Sequence, residues 1–251
     1  MRFDDLDDRM RVYETAHDVC VMPGVYMVAR IDGRGFTRLT KDVYKFEAPY
    51  DPRFRDMMVD TVKHLMQCGF NVTYGYTQSD EISLLFHLSE DAFNRKERKW
   101  NSILAGEASA CFSLQLGGIA AFDSRICQLP SAALVADYFA WRNEDAARNA
   151  LNAHCYWTLR KRGETPHRAA AMLSRLDVSE KNGLLFSNGV NFNDLPLWQK
   201  RGIGFYWETM EKQGFNPKAG IATTALRRQM KVDMALPMRE QYRDFVLAML
   251  K

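Results

Sequence analysis

"VTYGYTQSDEISLLF", residues 72–86, decides the class of fold. Val72, Tyr74 and Tyr76 alternate before its centre, and Ile82, Leu84 and Phe86 alternate after it. Both flanks are rich in β-branched and aromatic residues, so they read as strands. Gln78, Ser79, Asp80 and Glu81 then form the turn of a hairpin. Ser and Asp suit a turn because their short side chains hydrogen-bond the local backbone. Glu81 does not, and it opens the second strand. Two adjacent carboxylates at a hairpin tip need a reason beyond turn-making.

Upstream, "GVYMVARIDG" (24–33) is a short apolar run that reads as a buried strand ending at Asp32. "DPRFRDMMVDTVKHLMQC" (51–68) has Asp51 as an N-cap, Pro52 at the first helical position, and apolar residues at 54, 57, 58, 62, 65 and 66. Downstream, a helical pattern from about 92 to 116 carries Trp100, Ile103, Leu104, Ala108, Cys111 and Phe112 on one side, and "AAFDSRICQL" (120–129) reads as a further strand. The order strand, helix, strand, strand, helix, strand is the split β-α-β arrangement of ferredoxin-like sheets. In that arrangement strand one lies beside strand three, so Asp32 is expected to meet Asp80. From 131 on the pattern is mostly helical (131–160, then 165–177), and a loop-rich tail follows. The expected class is therefore α+β, a ferredoxin-like palm over 1–130 with a mostly helical part, 131–251, packed on it across a soft boundary.

With 251 residues, 47% of them apolar, the chain has material for a sizeable core, which excludes disorder as its main state. Thirty-four basic residues against 31 acidic leave a net charge of +3, so any contact with an anionic polymer must come from local patches. Five cysteines, odd in number and never in a C-x-x-C pair, argue against a disulfide framework or a zinc knuckle and read as buried small residues in a reducing compartment. The first ten residues, "MRFDDLDDRM", are too charged for a signal peptide, and no apolar stretch approaches a membrane span. The expectation is a cytoplasmic protein with no membrane partner.

Two carboxylates brought together repel, and a shared proton or a divalent metal relieves them. Asp32, the carbonyl of Gly33 and Asp80 are hard oxygen donors, which suit Mg²⁺ better than zinc. Two such ions about 3.5 to 4 Å apart serve in-line phosphoryl transfer, as in the palm of nucleotide polymerases and cyclases. Asp-Gly is also a common turn pair, and Asp32 alone would read as that. "RIDGRGFTRLTK" (30–41) adds glycines that let the backbone approach phosphates, with Arg34, Arg38 and Lys41 to neutralise them. "FNRKERKWN" (93–101) places Arg95, Lys96 and Lys99 early in the second helix, either as a solvated face or as a triphosphate site.

"RIDGRGF", "YTQSDEISLLF", "AFDSR", "DYFAWRNEDAARNALN", "KNGLLF" and "KRGIGFYWE", in this order, resemble the tRNA-histidine guanylyltransferase family, which extends RNA in the 3′-to-5′ direction. The resemblance covers roughly residues 20–215 and implies a polymerase-like palm and a homotetramer. It implies two Mg²⁺ ions on Asp32, the Gly33 carbonyl and Asp80, with Glu81 as a third catalytic residue beside them. The implied nucleotide-binding positions are Arg34, Gly35, Phe36, Ser79, Lys96, Lys99, Lys181 and Asn191. Contacts to tRNA would fall on Arg142, Arg148 and Asn149. ATP or GTP would activate a 5′-monophosphate, and the 3′-hydroxyl of an incoming nucleotide would then attack it.

The sequence departs from that family at informative places. Members that modify histidine tRNA carry His-Ile-Asn-Asn where Ala147, Arg148, Asn149 and Ala150 stand here. Gly183 replaces a usual Glu, and Ala48 a usual Lys. These differences resemble the archaeal and bacterial branch that repairs 5′-truncated tRNA against a template. Guanosine addition to histidine tRNA is the alternative. A nucleotidyl cyclase relative would share the palm but not need the aromatic and basic residues of 138–162, and a non-enzymatic RNA-binding module would expose aromatics on its sheet.

Overall fold

In a computed structural model describing residues 2–216 and 221–250, a sheet of six antiparallel strands is covered by helices on both faces. The chain runs α1 (Phe3–Thr15), β1 (Tyr26–Gly33), a short α2 (Phe36–Arg38), α3 (Pro52–Leu65), β2 (Val72–Gln78), β3 (Glu81–Phe86), α4 (Glu97–Leu116) and β4 (Phe122–Leu129). It continues through α5 (Ala132–Lys161), α6 (Pro166–Leu173), α7 (Val178–Phe186), α8 (Leu197–Arg201), β5 (Ile203–Asn216), β6 (Ile221–Asp233) and α9 (Arg239–Ala248). The sheet order is β4-β1-β3-β2-β5-β6, so its first four strands have the expected ferredoxin-like arrangement with β1 beside β3.

Period-two alternation divides the strands between two cores. Ala29, Ile31, Ile82, Leu84 and Phe86 face α3 and α4, packing with Met58, Val62, Trp100, Leu104 and Phe112. Val28, Leu85, Tyr74 and Tyr76 face α5 and α9, packing with Val135, Phe139, Tyr242 and Val246. The same parity places Arg30, Asp32, Glu81 and Ser83 on the α5 face. The far half of α5 runs on to α6 and α7, where Leu151, Cys155, Leu159, Leu173 and Leu185 form a third cluster.

Asp51 caps α3 as expected, accepting from the amide of Arg53 at 2.8 Å and from that of Glu47 at 2.7 Å. The Arg53 guanidinium on this buried carboxyl holds its pKa down, to about 2. A carboxylate held below its usual value near 4 stabilises the fold above that pH, and the contribution disappears as acid takes the pH down through 2. Asp51→Ala is therefore expected to cost about 2 kcal/mol at neutral pH, from a lost cap and an orphaned amide. Urea midpoints of parent and variant should converge between pH 4 and pH 2, and a gap independent of pH would refute the assignment.

The helix expected from 92 starts at Glu97 instead. Phe93, Asn94 and Arg95 take left-handed conformations with φ of 55°, 51° and 57°, which no α-helix continues. The reason is Arg95, a buried cation whose guanidinium donates to the carbonyls of Val25 (2.6 Å), Leu88 and Glu90. The tail also differs from expectation: "KRGIGFYWE" leads into a strand, β5, which pairs with β2 from Thr77↔Ile203 to Tyr74↔Tyr206 and with β6 beyond it. The alternation of Ile203, Phe205 and Trp207 was the overlooked signal. The cysteines are free, but only Cys155 is buried, and Cys20 is exposed.

Candidate active site

Asp32 is the penultimate residue of β1, and Asp80 forms, with Ser79, the two-residue turn between β2 and β3. The amide of Gly33 donates to the carbonyl of Asp80 at 3.1 Å, tying the strand end to the turn. Ser79 has φ 54°, a left-handed conformation that costs a non-glycine residue about 1 kcal/mol or more. Its hydroxyl donates to the Asp80 carboxylate at 3.1 Å. Burial pushes the Asp80 carboxyl up to about 6, and the negative charges of Asp32 and Glu81 push in the same direction. The two aspartates that lie 48 positions apart in sequence thus act on one another, as the sheet order requires.

Glu81 stands opposite Asp32 in the β1–β3 register, on the same face of the sheet, and is engaged by two arginines. It pairs with Arg30 and lies 3.2 Å from the Arg142 guanidinium, which also holds Asp145 at 2.7 Å. Arg30 reaches back to Asp32 at 3.7 Å. Burial raises the Glu81 carboxyl, and the two arginines oppose that shift. Arg30 was the member that sequence reasoning missed, although it lies two residues before Asp32. Asp123, in "AFDSR", is in register with Asp32 on β4 and was likewise unselected. Among the described residues no three His, Cys, Asp or Glu side chains converge as metal ligands. The arrangement on offer is two carboxylates and a backbone carbonyl, hard oxygens with excess negative charge, and these fit a hydrated Mg²⁺ that keeps several of its waters.

The glycine-rich loop follows Asp32 directly. Gly35 is left-handed at φ 72°, and the Phe36 ring is buried among Phe54, Phe112 and Phe122, so Phe36 can offer a ligand only its backbone. The Arg34 amide is committed to the carbonyl of Ala121 at 2.8 Å, while its side chain is exposed. A Cβ on Gly33 would lie 2.5 Å from the Phe36 ring, which three other aromatics hold in place. Gly33→Ala is therefore expected to cost about 1 to 3 kcal/mol of stability and to lower activity by shifting Asp32. A variant with parental melting temperature and activity would show that the ring yields freely.

Beside Ser79 and Asp80 opens a cavity of about 280 Å³ whose walls include Phe36, Thr40, Tyr50, Gln78, Trp157 and Trp198. It is mostly apolar with a few polar groups, the character of a small-ligand pocket. Burial holds the Tyr50 phenol up, at about 12, so it stays neutral there. The cavity had no single motif in the sequence because its walls come from α2, α3, the hairpin, α5 and α8.

The remaining expected positions are scattered. Lys96 is the N-cap of α4 and pairs with Asp18 at 2.9 Å, while Lys99 is exposed. Lys181 lies on α7, and Asn191 caps the turn after it, accepting from the Asn193 amide at 3.1 Å. Arg142 corrects an expectation. At 6% exposure, engaged with Glu81 and Asp145, it belongs to the interior and not to an RNA contact surface. Arg148 and Asn149 are exposed, both turned onto Asp145. Trp157, on α5, is half-buried.

Two family models cover nearly the whole chain: "tRNAHis guanylyltransferase" matches residues 7–130 and the "Thg1 C terminal domain" matches 133–245. A probable tRNA(His) guanylyltransferase of Drosophila melanogaster is 32% identical over 195 residues, 74% of this chain and 68% of the relative. The tRNA(His) guanylyltransferase of Debaryomyces hansenii is also 32% identical, across 72% of this chain and 73% of the relative. A bacterial tRNA(His) guanylyltransferase-like protein solved in complex with GTP superposes with a TM-score of 0.78 at 29% identity, covering 98% of this chain and 99% of the other. The same description with ATP gives 0.76, and the Saccharomyces cerevisiae enzyme gives 0.71 at 27% identity over 77% of this chain and 90% of the other.

Proposed function

The chain belongs to the tRNA-histidine guanylyltransferase family, and from that premise we propose that it adds nucleotides to the 5′ end of tRNA in the 3′-to-5′ direction, repairing truncated ends against the opposite strand. The observation that carries the reading is the hydrogen bond from the Gly33 amide to the Asp80 carbonyl, which ties the end of β1 to the hairpin turn beside an aromatic-walled cavity. Bound at Asp32, the Gly33 carbonyl and Asp80, two Mg²⁺ ions would neutralise the phosphoryl oxygens and acidify the attacking hydroxyl. Asp80 and Asp32 hold the negative charge that this requires, and Glu81 beside them holds Arg30 and Arg142 in place. The cavity takes the base of the activating ATP or GTP against Tyr50 and Trp198, with its phosphates toward Ser79 and the loop at 34–36.

Lys96 and Lys99 are assigned to a triphosphate, and the Asp18 carboxylate is what that triphosphate would displace from Lys96. Replacing both lysines by Ala is expected to weaken nucleotide binding about tenfold or more, since a charge-assisted contact contributes about 1.5 to 3 kcal/mol. Calorimetric titration with ATP and GTP measures this, and parental affinity would make the pair a solvated face. Lys181 and Asn191 stay as further phosphate contacts, and Arg148 and Asn149 as RNA contacts. The junction of the family models between 130 and 133 supports a catalytic part to residue 130 and a second part from 131. The α1 helix buries none of its residues, with Phe3 at 78% and Tyr13 at 77% exposure, which supports association of copies into a tetramer. Among the described residues no helix is long and apolar enough to cross a membrane, and we assign the protein to the cytoplasm.

Ala147 in place of the family's His favours repair over histidine-tRNA maturation. Watson-Crick pairing then selects the base, and the protein reads RNA shape, phosphates and the 5′ end. The test is addition to 5′-truncated tRNAs of several anticodons, with cytosine or another base opposite the gap. Template-matched addition to all of them is expected. Addition confined to histidine tRNA, or guanosine added whatever the opposing base, would overturn the repair reading.

A further inference from the structure

Trp157, on the outer half of α5, is a wall of three adjoining cavities: the one beside Asp80, a second of about 310 Å³ that includes Lys161, Arg162 and Asn188, and a third of about 280 Å³ with Ala48, Arg160 and Lys161. Pro49 continues the wall from the first to the second, and Ala48 from the first to the third. The Nζ of Lys41 stands over the indole at 5.7 Å. A half-buried aromatic face therefore lies in a groove that leads from Asp80 outward to a set of cations.

Those cations are uncompensated. Among the described residues Lys41, Arg160, Lys161 and Arg162 form no ion pair; of the three carboxylates that line the groove, Asp80 stands at its inner end and Asp51 is held by Arg53, which leaves Glu47 to face the outer cations. Arg160 donates to the carbonyl of Glu164 at 2.8 Å and Arg162 to the Asn188 side chain at 3.3 Å, which orients both guanidinium groups without neutralising them. The basic residues expected to meet phosphates elsewhere are differently placed. Lys96 and Arg98 hold Asp18, and Arg142 and Arg148 hold Asp145. An aromatic face among unpaired cations is the chemistry that takes a stacked base together with its backbone phosphates.

We propose that this groove binds unpaired nucleotides of the RNA substrate adjacent to the reacting 5′ end, one base stacking on Trp157 and the flanking phosphates lying on Lys161 and Arg162. This deepens the function proposed above and rests on it. A free nucleoside triphosphate offers the same stack-and-phosphate chemistry, but the cavity beside Asp80 already provides for one. The outer cations extend past it, as a continuous strand requires.

Lys161 and Arg162 are exposed, so K161E/R162E reverses charge without disturbing the core. Binding of a 5′-truncated tRNA to the intact protein should weaken at least tenfold, and its log–log salt slope should become shallower by about 1.4 to 1.8, the loss of two phosphate contacts. ATP and GTP affinities should stay at the parental value. W157A should weaken tRNA binding about five- to one-hundredfold, with W157F recovering most of it, as a stacking contact predicts. Unchanged tRNA affinity and slope in K161E/R162E would overturn the proposal, and so would loss of ATP affinity as large as the loss for tRNA, which would give the groove to the free nucleotide. If the parent binds no tRNA, the RNA function itself fails along with the groove. A parent that binds tRNA with variants that match it removes the groove alone.

Discussion

Asp32→Ala and Asp80→Ala proteins are expected to lose nucleotide addition by about 10²- to 10³-fold or more, the scale on which removing one preorganised charge-stabilising group acts in a transition state. Both variants should still fold. Asp80 is a half-buried carboxyl held near 6 by desolvation and by the charges of Asp32 and Glu81, so at neutral pH its negative charge opposes the native state. A group with a raised folded-state pKa stabilises the fold when protonated and loses that contribution as pH rises from its usual value near 4 through 6. Asp80→Ala should therefore leave the metal-free protein as stable as the parent above pH 6, or more so. The check pairs single-turnover addition on a triphosphorylated tRNA, which skips activation, with a thermal melt. An active variant would end the polymerase reading, and an inactive, unfolded one would make the aspartate structural.

The second large effect falls on stability. Glu81→Ala removes the carboxylate shared by Arg30 and Arg142, whose side chains are only 11% and 6% exposed. Each already carries a buried Nε with no hydrogen-bond partner. Removing Glu81 leaves Arg142 with Asp145 and Arg30 with only the more distant Asp32, so the cost is about 1 to 3 kcal/mol, below that of stranding a fully buried charge. For a chain of this length each kcal/mol lowers the melting temperature by about 2 to 4 °C, so a fall of roughly 2 to 12 °C is expected. Arg30 would then have Asp32, 3.7 Å away, as its remaining carboxylate, drawing that aspartate's charge from the proposed metal site. Activity should fall even below the new melting transition and recover in part at higher Mg²⁺. Glu81→Gln keeps a hydrogen-bond acceptor and should be milder on both counts. A Glu81→Ala protein with parental stability but no activity would return Glu81 to the chemistry itself.

How much of this was legible follows from the range of the interactions involved. The hairpin of 72–86, the Asp51 cap, the apolar stripe of α4 and the strand at "AAFDSRICQL" are local: side chains two, three or four positions apart decide them. From their order the pairing of β1 with β3 followed, and with it the meeting of Asp32 and Asp80. The start of α4 was misread because Arg95 finds its partners at Val25, Leu88 and Glu90, and the pull of a carbonyl 70 positions away leaves no periodic trace. Arg142 looked like an RNA contact for the same reason, since its partner Glu81 lies 61 positions upstream. The sequence by itself therefore determined the palm, its family and the placing of Asp32 and Asp80 at neighbouring ends of the sheet, because local patterning and an ordered set of motifs carry that information. Only the tertiary structure decided which charges are neutralised inside the fold, which remain free along Trp157, and where a cavity opens, because ion pairing and concavity depend on side chains that distant elements bring together.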